Sequence, residues 1–207
     1  MDFLSVISFL GTAIVLTLMP GPDNLFTLAQ SISNGKNAGI FTTLGLCTGI
    51  IVHITAATIG ITAIIYQSAL AFTLVKYAGA AYLLYLAYKS FRQKGSSFNL
   101  NSEDSLDYKS LYKKGVIMNV LNPKVSLFFL AFFPQFIHYE NGNVSMQMLV
   151  YGILFLVQSL VIFMLISIFA GKVGYFLRKN KSLSKRINII QGSLFTLIGL
   201  KIAFSQK

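Results

Sequence analysis

Pro20-Gly21-Pro22-Asp23-Asn24 places a carboxylate directly behind a double proline break, within an apolar run that extends from residue 3 to residue 30. Proline removes a backbone donor and its ring clashes with the preceding turn, so the break costs helix stability unless neighbouring helices or a water-filled cavity satisfy the freed groups. A carboxylate in hydrocarbon is expensive for the same reason, and such residues usually line substrate, ion or proton paths. Asp23 therefore has two candidate roles: counter-charge for a substrate ammonium, and proton carrier when the substrate leaves. The plainer reading is an aspartate that caps a helix N-terminus at an interfacial kink.

A second interruption, Asn122-Pro123-Lys124, has the same form and is also followed by an apolar run. Pro22 and Pro123 each suit the first position of a helix, where a missing donor costs little, with Gly21 and Asn122 as the cap residues before them. Two helix N-termini then sit at bilayer depth, and their free N–H groups and positive dipole ends favour an anion such as a substrate carboxylate. Counted from an entrance near residue 114, Pro123 lies roughly 13 Å deep at the helical rise, a depth Pro22 also reaches if its span enters from the other side. Asn24, Asn119 and Asn122 are the candidate polar ligands near the breaks. Lys124 is either a site cation or an interface residue whose long stem carries its ammonium out to the headgroups. His53 and Gln158, each in the middle of an apolar segment, read as interhelical hydrogen bonds or as ligands, with His53 also suited to relaying protons near neutral pH. Gln30 and Lys36 read as headgroup-level or loop residues.

The elements that must position these residues are membrane helices. Of 207 residues, 55% are hydrophobic and 11% charged, and the mean hydropathy is +0.68, too apolar for a soluble chain of this size. Stretches long enough to cross a bilayer, about 20 residues each, are read at 3–30, 38–64, 68–92, 115–138, 145–171 and 187–205. The fold class is thus an all-α integral membrane protein with six transmembrane helices, the first and fourth broken. The N-terminal segment begins Met1-Asp2 with no basic stretch and ends in Pro-Gly-Pro instead of a small-residue cleavage site, so it is expected to be retained. Cys47, the only cysteine, excludes an intramolecular disulfide and a cysteine metal cluster, and its neighbours Gly45, Thr48 and Gly49 suggest a small packing residue.

The net charge of +11 is a topology signal. Threading six spans puts Lys36, the group from Lys89 to Lys114 and the group from Lys172 to Arg186 on one side, and Lys76, Lys201 and Lys207 on the other. The positive-inside rule then places the basic loops in the cytoplasm and both termini outside. Nucleic acid is not an expected partner, since the aromatic residues lie in the spans and are not interleaved with the basic runs.

The polar stretch 93–113 holds Glu103, Asp104 and Asp107 and reads as a cytoplasmic linker between two three-helix halves, 1–92 and 114–207, of one transmembrane domain. Gly79-Ala-Ala-Tyr82 through Phe91 is echoed by Gly192-Ser-Leu-Phe195 through Phe204, and the two broken helices correspond. Three spans per half require duplicates to be inverted, a 3+3 inverted repeat, and in that plan the binding site lies where paired Pro/Gly-interrupted segments meet. Small residues at helical spacing, such as Gly45 to Gly49, read as close helix packing. No nucleophile elbow, paired His/Glu metal ligands or phosphate-cradling loop is present, so no catalytic residue, metal or cofactor is expected and the chain is not read as an enzyme.

On these residues the chain resembles the LysE/RhtB amino-acid exporter family along nearly its whole length. The resemblance is carried by Pro20-Gly21-Pro22-Asp23-Asn24, Gly35-Lys36-Asn37-Ala38-Gly39, Gly45 through His53, Gly79 through Ala87, and Asn122-Pro123-Lys124 running into Phe132-Phe133-Pro134-Gln135-Phe136. It implies a six-helix, multi-pass protein of the bacterial inner membrane that exports amino acids or derivatives, driven by the proton motive force and often a homodimer. Its expected partners are a small amino-acid substrate, protons and membrane lipid. Members with these motifs export homoserine, threonine, leucine, cysteine derivatives, lysine or arginine. With Asp23 the only intramembrane acid read here, a dibasic substrate lacks a second counter-charge, which favours a neutral amino acid. The alternatives are an exporter of another small metabolite or a cation, and a non-transporting membrane scaffold.

Overall fold

The computed structural model describes residues 2–19, 21–67, 107–138 and 142–172, with individual helical positions between 73 and 92 and between 189 and 204. Pro20, most of the 93–113 connection and, apart from those positions, the expected third and sixth spans lie outside the described residues. All the elements described are helical. Helix α1, Phe3–Leu18, starts where Asp2 Oδ1 accepts from the Ser5 backbone N–H at 2.6 Å. That bond holds the Asp2 carboxyl below its usual pKa. Helix α2, Pro22–Asn34, begins after Gly21 in extended backbone, with Pro22 at its first position, and ends at Gly35. Gly35 has a φ of +83°, a conformation L side chains rarely adopt, and there the chain reverses into α3, Lys36–Gln67.

The second broken region starts at α4, Tyr108–Val120, which is capped by Asp107 and includes the last six residues of the polar linker. Asn122 then caps α5, Pro123–Leu127, by accepting from the Lys124 backbone N–H at 3.0 Å. The chain continues through a π-helical turn, Phe128–Phe132, and a 3₁₀ turn, Phe133–Phe136, before α6, Val144–Ile168. The axes bend by 56° between α1 and α2, and by 44° between α4 and the segment from Pro123 to Phe136. Among the described residues two helices, Lys36–Gly60 and Val144–Ile168, are long and apolar enough to cross a membrane, and four segments are if each bent pair counts as one.

The arrangement suits lipid on the outside and polar groups within. On α6 the exposed side chains Leu149, Ile153, Val157, Val161 and Leu165 recur every four residues, an apolar stripe along one face. The opposite face buries Met148, Tyr151, Phe155, Ser159 and Phe163. On α2 the buried face carries Asp23, Asn24, Thr27 and Ser31 beside a single apolar residue, Leu28, which reverses the pattern of a helix on a soluble protein. The wide π-helical turn and the tighter 3₁₀ turn after it depart from α-helical spacing and bring Phe128, Phe129, Phe132 and Phe133 all inward. Phe9 packs against Phe128 at 6.1 Å between ring centroids, Phe133 at 5.8 Å and Phe136 at 5.2 Å, and against Tyr151 of α6 at 4.7 Å, so an aromatic core braces α1 against the second broken region.

Close packing of α3 on α4 rests on three glycines. A Cβ at Gly45 would run into the Tyr112 carbonyl, one at Gly115 would lie 2.6 Å from the Thr42 carbonyl oxygen, and one at Gly49 would lie 2.7 Å from Asn119 Cβ. The small-residue spacing read in the sequence is therefore a helix crossing, with backbone against backbone. Gly192 likewise sits under the Phe91 ring, which brings one position of each expected third and sixth span together. Gly45→Val should force α3 and α4 apart and lower the stability of the purified protein by about 1–3 kcal/mol, read as a lower thermal unfolding midpoint in detergent. Gly60→Ala, at a site with open space around it, should leave that midpoint unchanged.

Candidate functional site

The break after α1 frees carbonyls that a bilayer cannot hydrate, and three of these acceptors are met by side chains from beyond the break. Lys124 Nζ donates to the Leu16 carbonyl at 3.2 Å and to the Met19 carbonyl at 3.0 Å. Asn24 Nδ2 donates to the Thr17 carbonyl at 2.7 Å. Lys124 is buried, only 6% exposed, and its stem passes beside Gly21, where an added Cβ would stand 3.1 Å from Nζ. Of the two sequence readings of Lys124, the ammonium lies inside the protein and at the negative end of α1 instead of reaching outward.

Asp23, 1% exposed on the first turn of α2, faces α4. Asn119 Nδ2 donates to Asp23 Oδ2 at 2.8 Å, while the Asn119 backbone carbonyl accepts from His53 Nε2 at 3.0 Å. His53 lies flat on Phe129, with ring centroids 5.8 Å apart and planes 7° from parallel, so its orientation is fixed by packing as well as by that contact. Lys124 and His53 are the charged and titratable side chains that face the Asp23 carboxylate. Lys124 does not come within ion-pairing distance of it; the pair that does so among the described residues is His138 and Asp2, 3.7 Å apart near the surface. The nine candidate residues thus separate into Asp23, Asn119 and His53, joined by hydrogen bonds through Asn119, then Asn24 and Lys124, which bond the α1 carbonyls, and the break residues Gly21, Pro22, Asn122 and Pro123.

Several buried polar atoms of these candidate residues have no hydrogen-bond partner: Asp23 Oδ1, Asn24 Oδ1, Asn119 Oδ1 and Asn122 Nδ2. A small cavity of about 10 Å³ opens among Asp23, Asn119, Lys124, Thr17 and Ser159, with Leu16, Ile50, Val125, Phe155 and Phe163 as its apolar walls. That is room for about one water molecule, so the site is closed around its polar groups. Pro22 and Pro123 instead face a wider recess of about 420 Å³, shared with Phe26, Lys114, Ile117 and Leu121.

Sequence reasoning missed Thr17 and Ser159. Their hydroxyls are 3.3 Å apart across α1 and α6, and Gln158 Nε2 donates to both, at 2.9 Å to Thr17 Oγ1 and 2.7 Å to Ser159 Oγ. Gln158, noted in the sequence as an interhelical group, makes that contact. A hydroxyl in an apolar helix usually bonds its own backbone and so gives no local sign of a site. The signal that could have found Ser159 is its place four residues from Phe155 and Phe163 on one face of α6.

The family model described as LysE type translocator matches residues 14–206. An uncharacterized membrane protein of Vibrio cholerae is 32% identical over 98% of this chain and 98% of its own length. The uncharacterized membrane protein YrhP of Bacillus subtilis is 29% identical over 97% of this chain and 99% of its own. A homoserine/homoserine lactone efflux protein of Salmonella typhimurium is 31% identical over 95% of this chain and 94% of its own. No solved structure matches.

Removing the Lys124 ammonium leaves two buried carbonyls without a donor. Lys124→Met should therefore cost roughly 2–4 kcal/mol, measured as a shift of the denaturation midpoint of the detergent-solubilised protein. A midpoint equal to that of wild type would mean the α1 carbonyls have another partner.

Proposed function

The chain belongs to the LysE type translocator family, and from that premise we propose that it is a secondary active exporter of neutral amino acids, coupled to proton antiport, with Asp23 at the centre of its site. The observation that carries this reading is the Asp23 carboxylate. It is buried in the bend between two broken helices, bonded through one oxygen to Asn119 and open through the other. A purely structural capping aspartate would have its oxygens satisfied by backbone N–H groups; this one is held by a side chain from the other broken helix.

The unpartnered atoms around it are mostly acceptors, and an ammonium group brings three donors. Homoserine and its lactone, named for a relative of this chain, share an amino group, whereas the lactone has no free carboxylate. An acceptor-rich pocket that reads the amino group suits both. Proton and ammonium compete for the same carboxylate oxygen, so occupation by one excludes the other, which is the exchange an antiporter requires. The Lys124 ammonium and the Thr17 and Ser159 hydroxyls supply donors on the cavity's other side for a substrate carboxylate, when there is one.

The finer architecture belongs to the same reading. Six transmembrane helices form two inverted repeats, 1–92 and 114–207, joined by the cytoplasmic linker 93–113. Both termini lie outside the bacterial inner membrane, and the protein forms a homodimer. The bends of 56° and 44° at corresponding places in the two halves support this plan. In the closed form described, the small cavity must widen before a substrate enters, as alternating access demands.

Efflux from dipeptide-loaded cells tests the reading, with homoserine, threonine and leucine assayed in the presence and absence of an uncoupler. Asp23→Asn should abolish uncoupler-sensitive export while the protein still inserts in the membrane at wild-type levels. Near-normal export by that variant would remove Asp23 from the mechanism. No uncoupler-sensitive export of any neutral amino acid by wild type would favour a different small metabolite.

A further inference from the structure

Chain neighbours at the two breaks divide between two spaces. Asp23, Asn119 and Lys124 line the small cavity, while Pro22, Met118 and Pro123, each next to one of them in the chain, line the recess of about 420 Å³. One layer of backbone therefore separates a site with room for one water from a space of the size, about 300–1,000 Å³, that small-molecule sites have. Along α4 the recess is lined by Lys114, Ile117, Met118 and Leu121, the i, i+3, i+4, i+7 spacing of one helix face. Phe26, one turn past Pro22 on α2, closes the other side. The free polar groups of this lining are donors. Lys114 carries an exposed ammonium, and none of the lining residues is an acid. Asn122 is 2% exposed; its Oδ1 accepts from the Lys124 backbone N–H, and its Nδ2 has no hydrogen-bond partner. Asn122 also stands near the Asp23 carboxylate, so it is part of the partition between the two spaces.

We propose that the recess is a second substrate site, on the way to Asp23, which holds the carboxylate of a neutral amino acid at Asn122 and its apolar side chain against α4 and Phe26. The inference deepens the exporter reading and rests on it for its purpose. A buried donor without a partner is costly, and a carboxylate oxygen brings the Asn122 amide the acceptor it lacks. Lys114 lies eight residues before Asn122, about 12 Å away at the helical rise, so it steers the anion at the mouth instead of sharing the same oxygen. The positive end of α2, at Pro22, adds to the same field. Ile117, Met118, Leu121 and Phe26 supply an apolar wall that the side chain covers. With no acid in its lining, the recess does not compete with Asp23 for the ammonium. The two spaces then read the two ends of one zwitterion, the recess its carboxylate and the cavity its amino group. A ligand with no free carboxylate, such as a lactone, gains nothing from the recess and engages Asp23 alone.

The test is equilibrium dialysis of the purified protein in lipid nanodiscs, with empty nanodiscs as the blank. The probe is radiolabelled 4-methylpentanoate, which is leucine without its amino group. Wild type should bind it. Asn122→Ser should bind it roughly tenfold more weakly, the effect of one hydrogen bond to a charged group, and Lys114→Gln roughly threefold more weakly, as for an exposed charge. Serine keeps the acceptor that caps α5, and Lys114 is exposed, so both variants should fold. 3-Methylbutylamine, which is leucine without its carboxylate, should bind wild type and both variants equally. No binding of 4-methylpentanoate by wild type overturns the recess as a substrate site, and so does undiminished binding by Asn122→Ser. Equal weakening of acid and amine overturns it too, because that marks a packing effect. Binding present in detergent and absent in nanodiscs assigns the recess to lipid and also overturns the proposal. Carboxylate binding of the expected pattern, with no amino-acid export by wild type, would overturn the exporter reading and leave the recess standing; intact export without carboxylate binding would overturn the recess alone.

Discussion

A helix that stops inside a bilayer leaves carbonyls that no water will hydrate, and the rest of this structure follows from how those at the end of α1 are satisfied. Leu16 and Met19 receive their donors from Lys124, which belongs to the second break, some hundred residues later in the chain. Thr17 receives its donor from Asn24, on the far side of its own break. The first broken helix is therefore completed by the second. Neither interruption is tolerable alone, and any motion that separates α1 from α5 must break charge-assisted bonds in a place where water cannot replace them.

Asn119 ties the same unit to the close crossing of α3 and α4. Its Cβ lies over Gly49, its amide nitrogen donates to Asp23, and its backbone carbonyl meets His53. A bulkier residue at position 49 would displace the group that orients the carboxylate. The glycines of α3 thus do more than permit packing: their close approach to α4 sets the position of a polar side chain at the site. The aromatic core around Phe9 acts on the other side, holding α1 against the π-helical turn and so keeping its carbonyls within reach of Lys124.

What the sequence revealed depended on whether the physical signal was local. Two proline breaks and a carboxylate in apolar runs are local contradictions of what a membrane helix requires, and the structure has bends at both places with Asp23 buried between them. The role of Lys124 was open because it depends on which atoms lie beside it in three dimensions. A lysine in the first turn of a helix reads the same whether it reaches lipid headgroups or the carbonyls of another helix. The start of α4 at Tyr108 was hidden for a related reason. Lys109, Lys113 and Lys114 make the segment look like a loop, although its other face buries Leu111 and Gly115 against α3. Thr17 and Ser159 gave no compositional sign, since isolated hydroxyls are ordinary in apolar helices.

The unpartnered atoms point to how site and stability are linked. Each buried polar atom left without a bond costs on the order of 1–3 kcal/mol, and Asp23 Oδ1, Asn24 Oδ1 and Asn119 Oδ1 lie in one small region. A fold that needed only to bridge two helix breaks would gain by replacing these residues with apolar ones. Retaining them makes sense if a partner satisfies them in another state, and acceptors are satisfied by donors. A proton on Asp23 turns one acceptor into a donor able to reach its neighbours; an ammonium group supplies three donors at once. Both relieve the same cost, and both need the same carboxylate oxygen. In the exporter reading, the strain of the closed site is then the quantity through which proton and substrate sense each other, because whichever binds removes the other's reason to bind.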